Sequence, residues 1–363
     1  MSIWYKLNEL NIVSKGIVED RMEKIKSNKK TFFYLKIAFT LVIFWLLMHN
    51  SQLKLGLCTT IVEKPVWTFV IVLLCYLMVV FHTWRWYRLN FVQGMKLSFF
   101  HTLMPTYLGI AFNTVLPGSV GGDFVRLYYV LKNFPKQKSN AVLAILVDRI
   151  TGLMGIFVIA CILAPFYLNT FSHDSAIFYL LVVCISVCII CALLFGLVLI
   201  LLSEQVGFAN WLATKYSHKR WSTLLVSLLE AVHIYRKSKL VLLESMVVSI
   251  MTQLLLLIVV VILSKMMGLP MLSLLDYMLA LVIGQVANLV PLTPGGVGIG
   301  EAAFANVLLI INPGLTAAYA TVFFALRLIS TAAYLPGVFI GVFGFHLLDK
   351  KHLPDANEAE VSI

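Results

Sequence analysis

The sequence predicts an all-α, polytopic integral membrane protein. Hydrophobic residues make up 60% of the 363-residue chain and charged residues only 12%, whereas an ordinary soluble domain has roughly 25% charged residues. The mean hydropathy is +0.92, and several uncharged apolar stretches are long enough to cross a bilayer. Backbone polar groups in hydrocarbon must be satisfied within the segment, so these stretches are expected to be helices. The composition excludes a water-soluble fold.

Six apolar stretches predict full membrane crossings within a membrane domain of residues 32–348. The segment before them, residues 1–31, is polar and lysine-rich, which predicts a cytoplasmic N-terminal segment and not a cleavable signal. Residues 349–363 are expected to form a cytoplasmic tail. The predicted crossings are 32–48, 66–81, 141–164, 176–202, 240–263 and 316–346, the last interrupted by Pro336-Gly337.

The orientation follows from the basic residues between the crossings. The net charge of +11 comes from cations in short loops, so we expect no nucleic-acid partner. Seven Lys and Arg precede residue 32, four lie in 123–140 and six in 203–239, whereas the loop around His173 has none. Because short cytoplasmic loops are positive, both termini are predicted to be cytoplasmic. The basic, amphipathic stretch 203–239 is expected to lie on the inner surface as a linker.

Two further apolar segments, 97–116 and 272–290, run into Pro/Gly clusters that begin at Pro117 and Pro291. Such clusters break helices. With the orientation above, the first segment must start and finish on the cytoplasmic side and the second on the outside. Both are therefore predicted to be re-entrant, broken-helix hairpins. Non-helical backbone at membrane depth is tolerated only against protein or a water-filled cavity, so both turns should line an internal site.

The two breaks also resemble each other, which predicts an internal repeat. Both contain Pro-Gly-x-Val-Gly followed by an acid, Asp123 in the first and Glu301 in the second. An arginine embedded in the next apolar span lies 26 residues after each acid, at Arg149 and Arg327. We predict two repeats of inverted topology, about 66–164 and about 240–348. Inverted repeats in transporters place broken helices and the substrate site near the membrane midplane.

The charged residues inside the spans are candidate substrate-binding groups, because a charge in a membrane span is costly. Arg149 and Arg327 can offer bidentate donors to a phosphate. The alternative is that Asp123 pairs with Arg149, and Glu301 with Arg327, as structural ion pairs that fix each hairpin to a span. Each acid can also interact with the N–H groups of a helix start. Asp148 neighbours Arg149 on a different helix face and ranks second.

Small and amide residues around the breaks complete the predicted site. Asn113 and Asn288 are expected to hold the unwound backbone by hydrogen bonds, and four glycines are expected to allow close backbone approach. The stretch 84–88, Trp-Arg-Trp-Tyr-Arg, is interpreted as an interfacial anchor, and the alternative is a route by which lipid head groups enter. We expect no metal or cofactor, and no catalytic motif is recognisable. The four glycines are Gly121, Gly122, Gly295 and Gly296.

These motifs resemble the lysylphosphatidylglycerol synthase transmembrane domain family, the flippase-like membrane region related to the multiple peptide resistance factor. The resemblance rests on 113–123 with 147–153 and on 291–304 with Arg327, and it extends over roughly 32–344. It implies an integral inner-membrane protein that handles phospholipid or polyprenyl-linked lipid. In the best-known relatives this part moves aminoacylated phosphatidylglycerol to the outer leaflet, and a separate soluble domain makes it. The chain ends soon after the last span, so we do not expect the synthetic activity.

The sequence therefore predicts translocation of an anionic or zwitterionic phospholipid or polyprenyl-linked lipid across the cytoplasmic membrane. Two alternatives stay open. One is an integral-membrane transferase of lipid or cell-envelope biosynthesis, related to phosphatidylglycerol lysyltransferase, with Asp123 or Glu301 as a general base. The other is an ion-coupled transporter of a small solute. The expected partners are a membrane lipid substrate, an enzyme that modifies that lipid, and further copies of the chain in an oligomer.

Overall fold

A computed structural model of the protein describes residues 38–115, 121–167, 238–289, 296–314 and 318–343, together with Tyr179, Val182, Ser186, Ile234, Tyr235 and Thr293. Every regular element in these residues is helical, which confirms the all-α prediction for this part of the chain. The helices are α1 (Ala38–His49), α2 (Pro65–Val92), α3 (Phe99–Val115), α4 (Gly121–Asn133), α5 (Lys138–Tyr167), α6 (Lys239–Met266), α7 (Leu274–Asn288), α8 (Ile299–Ile311) and α9 (Tyr319–Phe343), with short turns Leu55–Thr59 and Thr60–Glu63 before α2.

Among the described residues, α2, α5, α6 and α9 are long and apolar enough to cross a membrane. A helix of 28 residues, such as α2 or α6, is about 42 Å long, against a hydrocarbon core of about 30 Å. The predicted polytopic membrane architecture is therefore confirmed. The crossing predicted at 176–202, the linker at 203–239 and both terminal segments lie almost entirely outside the described residues.

The bounds of α2 correct one sequence prediction. The apolar run stops near residue 81, which predicts a loop over 82–96, but the helix continues to Val92. It continues because polar residues of its last turns are buried against other helices, and Arg85 and Asn90 are 6% and 1% exposed. A hydropathy window cannot distinguish such residues from loop residues.

Local sequence signals account for several helix boundaries. Pro65 is the first residue of α2, where its missing N–H costs nothing. Ser273 caps α7, and its Oγ accepts the backbone N–H of Asp276 at 3.1 Å. At the second break, α7 ends at Asn288, shortly before Pro291. The residue before a proline disfavours helical geometry, so α7 stops where the sequence predicted.

The helices form two units with the same order, a long helix, a helical hairpin and a second long helix. The first unit is α2, the hairpin α3–α4, and α5; the second is α6, the hairpin α7–α8, and α9. The first helices of the two units are antiparallel. At one end, Lys64 Nζ donates to the carbonyl oxygen of Met266 at 2.7 Å, and at the other end, Arg88 Nε donates to Glu244 Oε2 at 2.8 Å. We name these the Lys64 end and the Arg88 end.

The two hairpins enter the bundle from opposite ends. The first begins and finishes at the Arg88 end, where Asn140 Nδ2 at the start of α5 donates to the carbonyl oxygen of Gln93 just after α2. The second begins and finishes at the Lys64 end, where Asn312 Nδ2 after α8 donates to Asp276 Oδ2 at the start of α7. The second unit therefore runs in the opposite direction to the first, as an inverted repeat requires.

The two hairpins differ in their surroundings. Residues 277–283 of α7 are at most 6% exposed and lie in the largest apolar core, which also includes residues of α2, α5, α6, α8 and α9. In the first hairpin, by contrast, Phe100, Phe124 and Tyr128 are 78%, 67% and 55% exposed. The second hairpin therefore contributes a continuous buried segment to this core, whereas the first presents exposed aromatic side chains on the surface of the bundle.

Candidate functional site

The first predicted ion pair is present. Asp123 lies in the first turn of α4, and its Oδ2 accepts a hydrogen bond from Nε of Arg149, in α5. The Arg149 side chain is 38% exposed, whereas that of Asp123 is 12% exposed. This pair joins the first hairpin to the last helix of its unit, and the guanidinium group is accessible from outside the bundle.

The second predicted ion pair is also present, and it is more enclosed. Arg327 Nε, in α9, donates to Glu301 Oε1 at 2.8 Å, and the Glu301 side chain is fully buried. Glu301 Oε2 accepts the backbone N–H of Gly298 at 2.7 Å, just before α8. Glu301 thus has both roles that the sequence left as alternatives, the ion pair and the contact with a helix start.

The two predicted asparagines both contact their hairpins. Asn113 Oδ1 accepts the N–H of Gly122 at 2.8 Å, which ties the end of α3 to the start of α4. Asn288 Oδ1 accepts from Arg327 Nη2 at 3.4 Å, and the same nitrogen donates to the carbonyl oxygen of Gly296 at 3.5 Å. Direct contact of these residues with a substrate stays a prediction.

The glycines fit the role of close approach. A Cβ on Gly122 would overlap the carbonyl oxygen of Gly109, and a Cβ on Gly300 would overlap Oδ1 of Asn288. Gly296 has a φ of +72°, which favours glycine. Gly121 is the first residue of α4, whereas Gly295 lies outside the described residues.

The contact between the two helices of each hairpin has a further sequence signal, which lies outside the Pro-Gly motif. Gly109 and Asn113, and likewise Gly284 and Asn288, form Gly-x-x-x-Asn at the end of the entering helix. In both hairpins that glycine lies against the returning helix, since a Cβ on Gly284 would come within 3.2 Å of the carbonyl oxygen of Gly300. The repeat is therefore longer than the Pro-Gly motif alone indicated.

We expect Gly122→Ala to lower the free energy of unfolding by about 3 kcal/mol, because its methyl group must push α3 and α4 apart. The matched control is Gly56→Ala, which has no heavy atom within 4 Å of the new Cβ and should change stability by less than about 0.5 kcal/mol. Unfolding of the purified variants in detergent measures both. Equal stability of the two variants would contradict the close contact between α3 and α4.

Asp148 lies on another face of α5 and belongs to a separate buried network. It is 3% exposed, and its two carboxylate oxygens accept from Arg85 Nε at 2.7 Å and from Arg126 Nη1 at 3.0 Å. Arg85 Nη1 also donates to Ser249 Oγ of α6 at 2.8 Å, and the Arg126 guanidinium lies 4.4 Å from the centroid of the Trp86 ring. One carboxylate thus connects α2, α4, α5 and, through Arg85, α6.

This network corrects the interpretation of residues 84–88 as an interfacial anchor. Arg85 and Trp86 are 6% and 0% exposed, so that interpretation is wrong for both. Trp84 Nε1 and Arg88 Nε instead bond the two carboxylate oxygens of Glu244 in α6 at 2.6 and 2.8 Å. The stretch therefore joins two helices of the bundle.

The two units differ in charge around their hairpins. Arg126, three residues after Asp123, has Nη1 3.8 Å from Asp123 Oδ1. Three residues after Glu301, the second unit has Phe304, which is fully buried. Asp123 therefore has two arginines beside it, whereas Glu301 has Arg327 and a backbone N–H.

A groove of about 280 Å³ lies between α4 and α5. The ion pair of the first unit is its charged part, and all its other walls are apolar. One charged part beside apolar walls matches an amphipathic ligand with a polar head group and hydrocarbon chains. The groove is lined by Asp123, Phe124, Leu127, Val142, Ile145, Leu146 and Arg149.

The fold and the buried ion pairs define a polytopic, all-α membrane protein built from two inverted units. The chain matches the family described as the lysylphosphatidylglycerol synthase TM region over residues 33–337. It belongs to this family, and its membership indicates a role in lipid-related processes. No curated protein and no solved structure matches the chain.

Proposed function

We propose that the protein translocates a phospholipid or polyprenyl-linked lipid with an anionic or zwitterionic head group across the cytoplasmic membrane. The observation that carries this proposal is the groove between α4 and α5, in which Arg149 and Asp123 adjoin apolar walls. A guanidinium group binds a phosphate through parallel hydrogen bonds, and the apolar walls are suited to acyl chains. Family membership supports the same lipid chemistry.

In this mechanism the head group moves through the polar interior while the acyl chains remain in the bilayer. Both hairpins would be re-entrant, with their broken ends inside the membrane. Arg149 lies 11 residues into α5 and Arg327 8 residues into α9, which correspond to about 17 Å and about 12 Å along the helix axes. Since the two helices run in opposite directions, both arginines would then lie well inside the hydrocarbon, near its middle.

The proposed topology predicts which side each end of the bundle faces. With single cysteines on a cysteine-free background, positions Lys64 and Lys265, at the Lys64 end, should react with an impermeant reagent added outside intact cells. Lys136, between α4 and α5 at the Arg88 end, should react only after the membrane is opened. Labelling of Lys136 and Lys64 from the same side would overturn the proposed orientation.

The activity is tested with purified protein in liposomes that carry a fluorescent phosphatidylglycerol in both leaflets. An impermeant reductant destroys the outer-leaflet dye, so translocation raises the bleached fraction from about one half towards completion. Mass spectrometry of the recovered lipid tests the alternatives in the same sample. A new covalent lipid species would indicate a transferase, and a bleached fraction that stays at one half for every lipid head group offered would overturn the proposal.

A further inference from the structure

We infer that the two ion pairs have different roles: Arg149 exchanges Asp123 for the phosphate of an anionic lipid head group, while the pair of Glu301 and Arg327 stays closed. During the exchange, Arg126 keeps the Asp123 carboxylate neutralised. This inference rests on the proposed function, because it takes a membrane lipid as the ligand of the groove. It assigns binding to the first hairpin and a structural role to the second.

The exchange is possible in the first unit because Asp123 has a second cation beside it. Removing one partner from a buried ion pair is costly when the remaining charge is stranded. If Arg149 turns towards a ligand, Arg126 Nη1 is still 3.8 Å from Asp123 Oδ1. Arg126 itself is fixed, since it donates to Asp148 and lies over the Trp86 ring. The Asp123 carboxylate therefore never loses all positive charge.

The second unit has no such replacement among the described residues. Phe304 takes the position equivalent to Arg126, and Glu301 is fully buried. If Arg327 left, Glu301 would keep only the N–H of Gly298. Arg327 also donates to Asn288 and to the carbonyl of Gly296, so three groups of the hairpin hold it. These contacts favour a second pair that remains closed.

The charge balance indicates the chemistry of the ligand. The connected ion-pair network of the first unit contains three guanidinium groups, Arg85, Arg126 and Arg149, and two carboxylates, Asp123 and Asp148. One positive charge is in excess, and one phosphodiester would neutralise it. The second pair is already balanced. A lipid with a phosphodiester and no cationic group, such as phosphatidylglycerol, therefore fits the groove.

The test compares two double variants that each remove one ion pair without changing the net charge of the protein. We expect Asp123→Asn/Arg149→Gln to weaken binding of phosphatidylglycerol at least tenfold, and Glu301→Gln/Arg327→Gln to change it less than threefold. Binding is measured on the purified full-length protein by lipid titration with native mass spectrometry. Diacylglycerol with the same chains, which lacks the phosphate, should bind both variants and the unchanged protein alike. Inorganic phosphate alone should show no saturable binding at millimolar concentration, because it cannot use the apolar walls.

Arg126 provides a second test that does not depend on the folding of the double variants. It lies behind Asp123 and is not among the groove-lining residues, so it acts as a positioning residue. Arg126→Gln should weaken phosphatidylglycerol binding at least tenfold and leave diacylglycerol binding unchanged, and Arg126→Lys should restore it. Equal losses in both double variants, or unchanged binding in Arg126→Gln, would overturn the inference. If the unchanged protein binds phosphatidylglycerol but does not move it, only the proposed function fails.

Discussion

Replacing Arg149 by alanine is expected to abolish lipid translocation. The variant loses the accessible guanidinium group of the groove, so no side chain of the groove is left to bind the phosphate. Arg149→Lys should recover little, because an ammonium group cannot form the two parallel hydrogen bonds that a guanidinium group offers to a phosphate. The rate of fluorescent phosphatidylglycerol movement in liposomes measures both variants, and we expect both to fall at least tenfold.

The matched control for this prediction is Arg88→Ala. Arg88 is also an arginine in a membrane-spanning helix with a carboxylate partner, and its side chain is 33% exposed, close to the 38% of Arg149. It bonds Glu244 and lies outside the groove, so its loss should leave at least half of the translocation rate. Normal transport by Arg149→Ala at equal protein density would place Arg149 among the structural residues.

Much of the fold was predictable because its signals are local. An apolar run of spanning length predicts a helix wherever it occurs, and proline marks the end of α7 without knowledge of any partner. The two ion pairs were predictable for a different reason. The motif with its acid occurs twice, and the same distance of 26 residues separates each acid from its arginine. A repeated spacing is evidence for a contact that a single occurrence would not give.

The network around Asp148 could not be predicted in the same way. Its partners Arg85 and Arg126 lie 63 and 22 residues away, and the second unit does not repeat them, as Phe304 shows. In the sequence, Arg85 belongs to a group of aromatic and basic residues near a span end, which usually marks a membrane interface. Its burial follows from the packing of α2 against α5 and α6, which a hydropathy pattern does not contain.

The difference between the hairpins also arises from long-range packing. Both have the same glycine crossing and the same acid–arginine pair, so the sequence predicts equivalent roles. The second hairpin, however, lies in the largest apolar core, whereas aromatic side chains of the first lie on the surface. The shared motifs therefore determine how the two helices of each hairpin contact each other. The packing around each hairpin determines which ion pair is accessible.

The Asp148→Asn substitution is expected to give the second large effect, a loss of about 3 to 5 kcal/mol in the free energy of unfolding. Asp148 is the carboxylate that Arg85 and Arg126 share, and all three side chains are at most 10% exposed. The neutral amide keeps one acceptor oxygen and places its NH2 donor against the other arginine. It leaves two buried guanidinium groups against one remaining carboxylate, Asp123. Reversible thermal or denaturant unfolding in detergent gives the measurement.

Glu244→Gln is the matched control, because Glu244 also joins helices through two hydrogen bonds, from Trp84 and Arg88. Its ion pair with Arg88 is about one third exposed on both sides, and a pair of that exposure contributes at most about 1 kcal/mol. A partial recovery is expected in Asp148→Asn/Arg85→Gln, since that double variant strands only one guanidinium group instead of two. If Asp148→Asn is no less stable than Glu244→Gln, the buried network does not hold α2, α4 and α5 together. Arg126 would then not be fixed in position by Asp148, as the exchange at Asp123 requires.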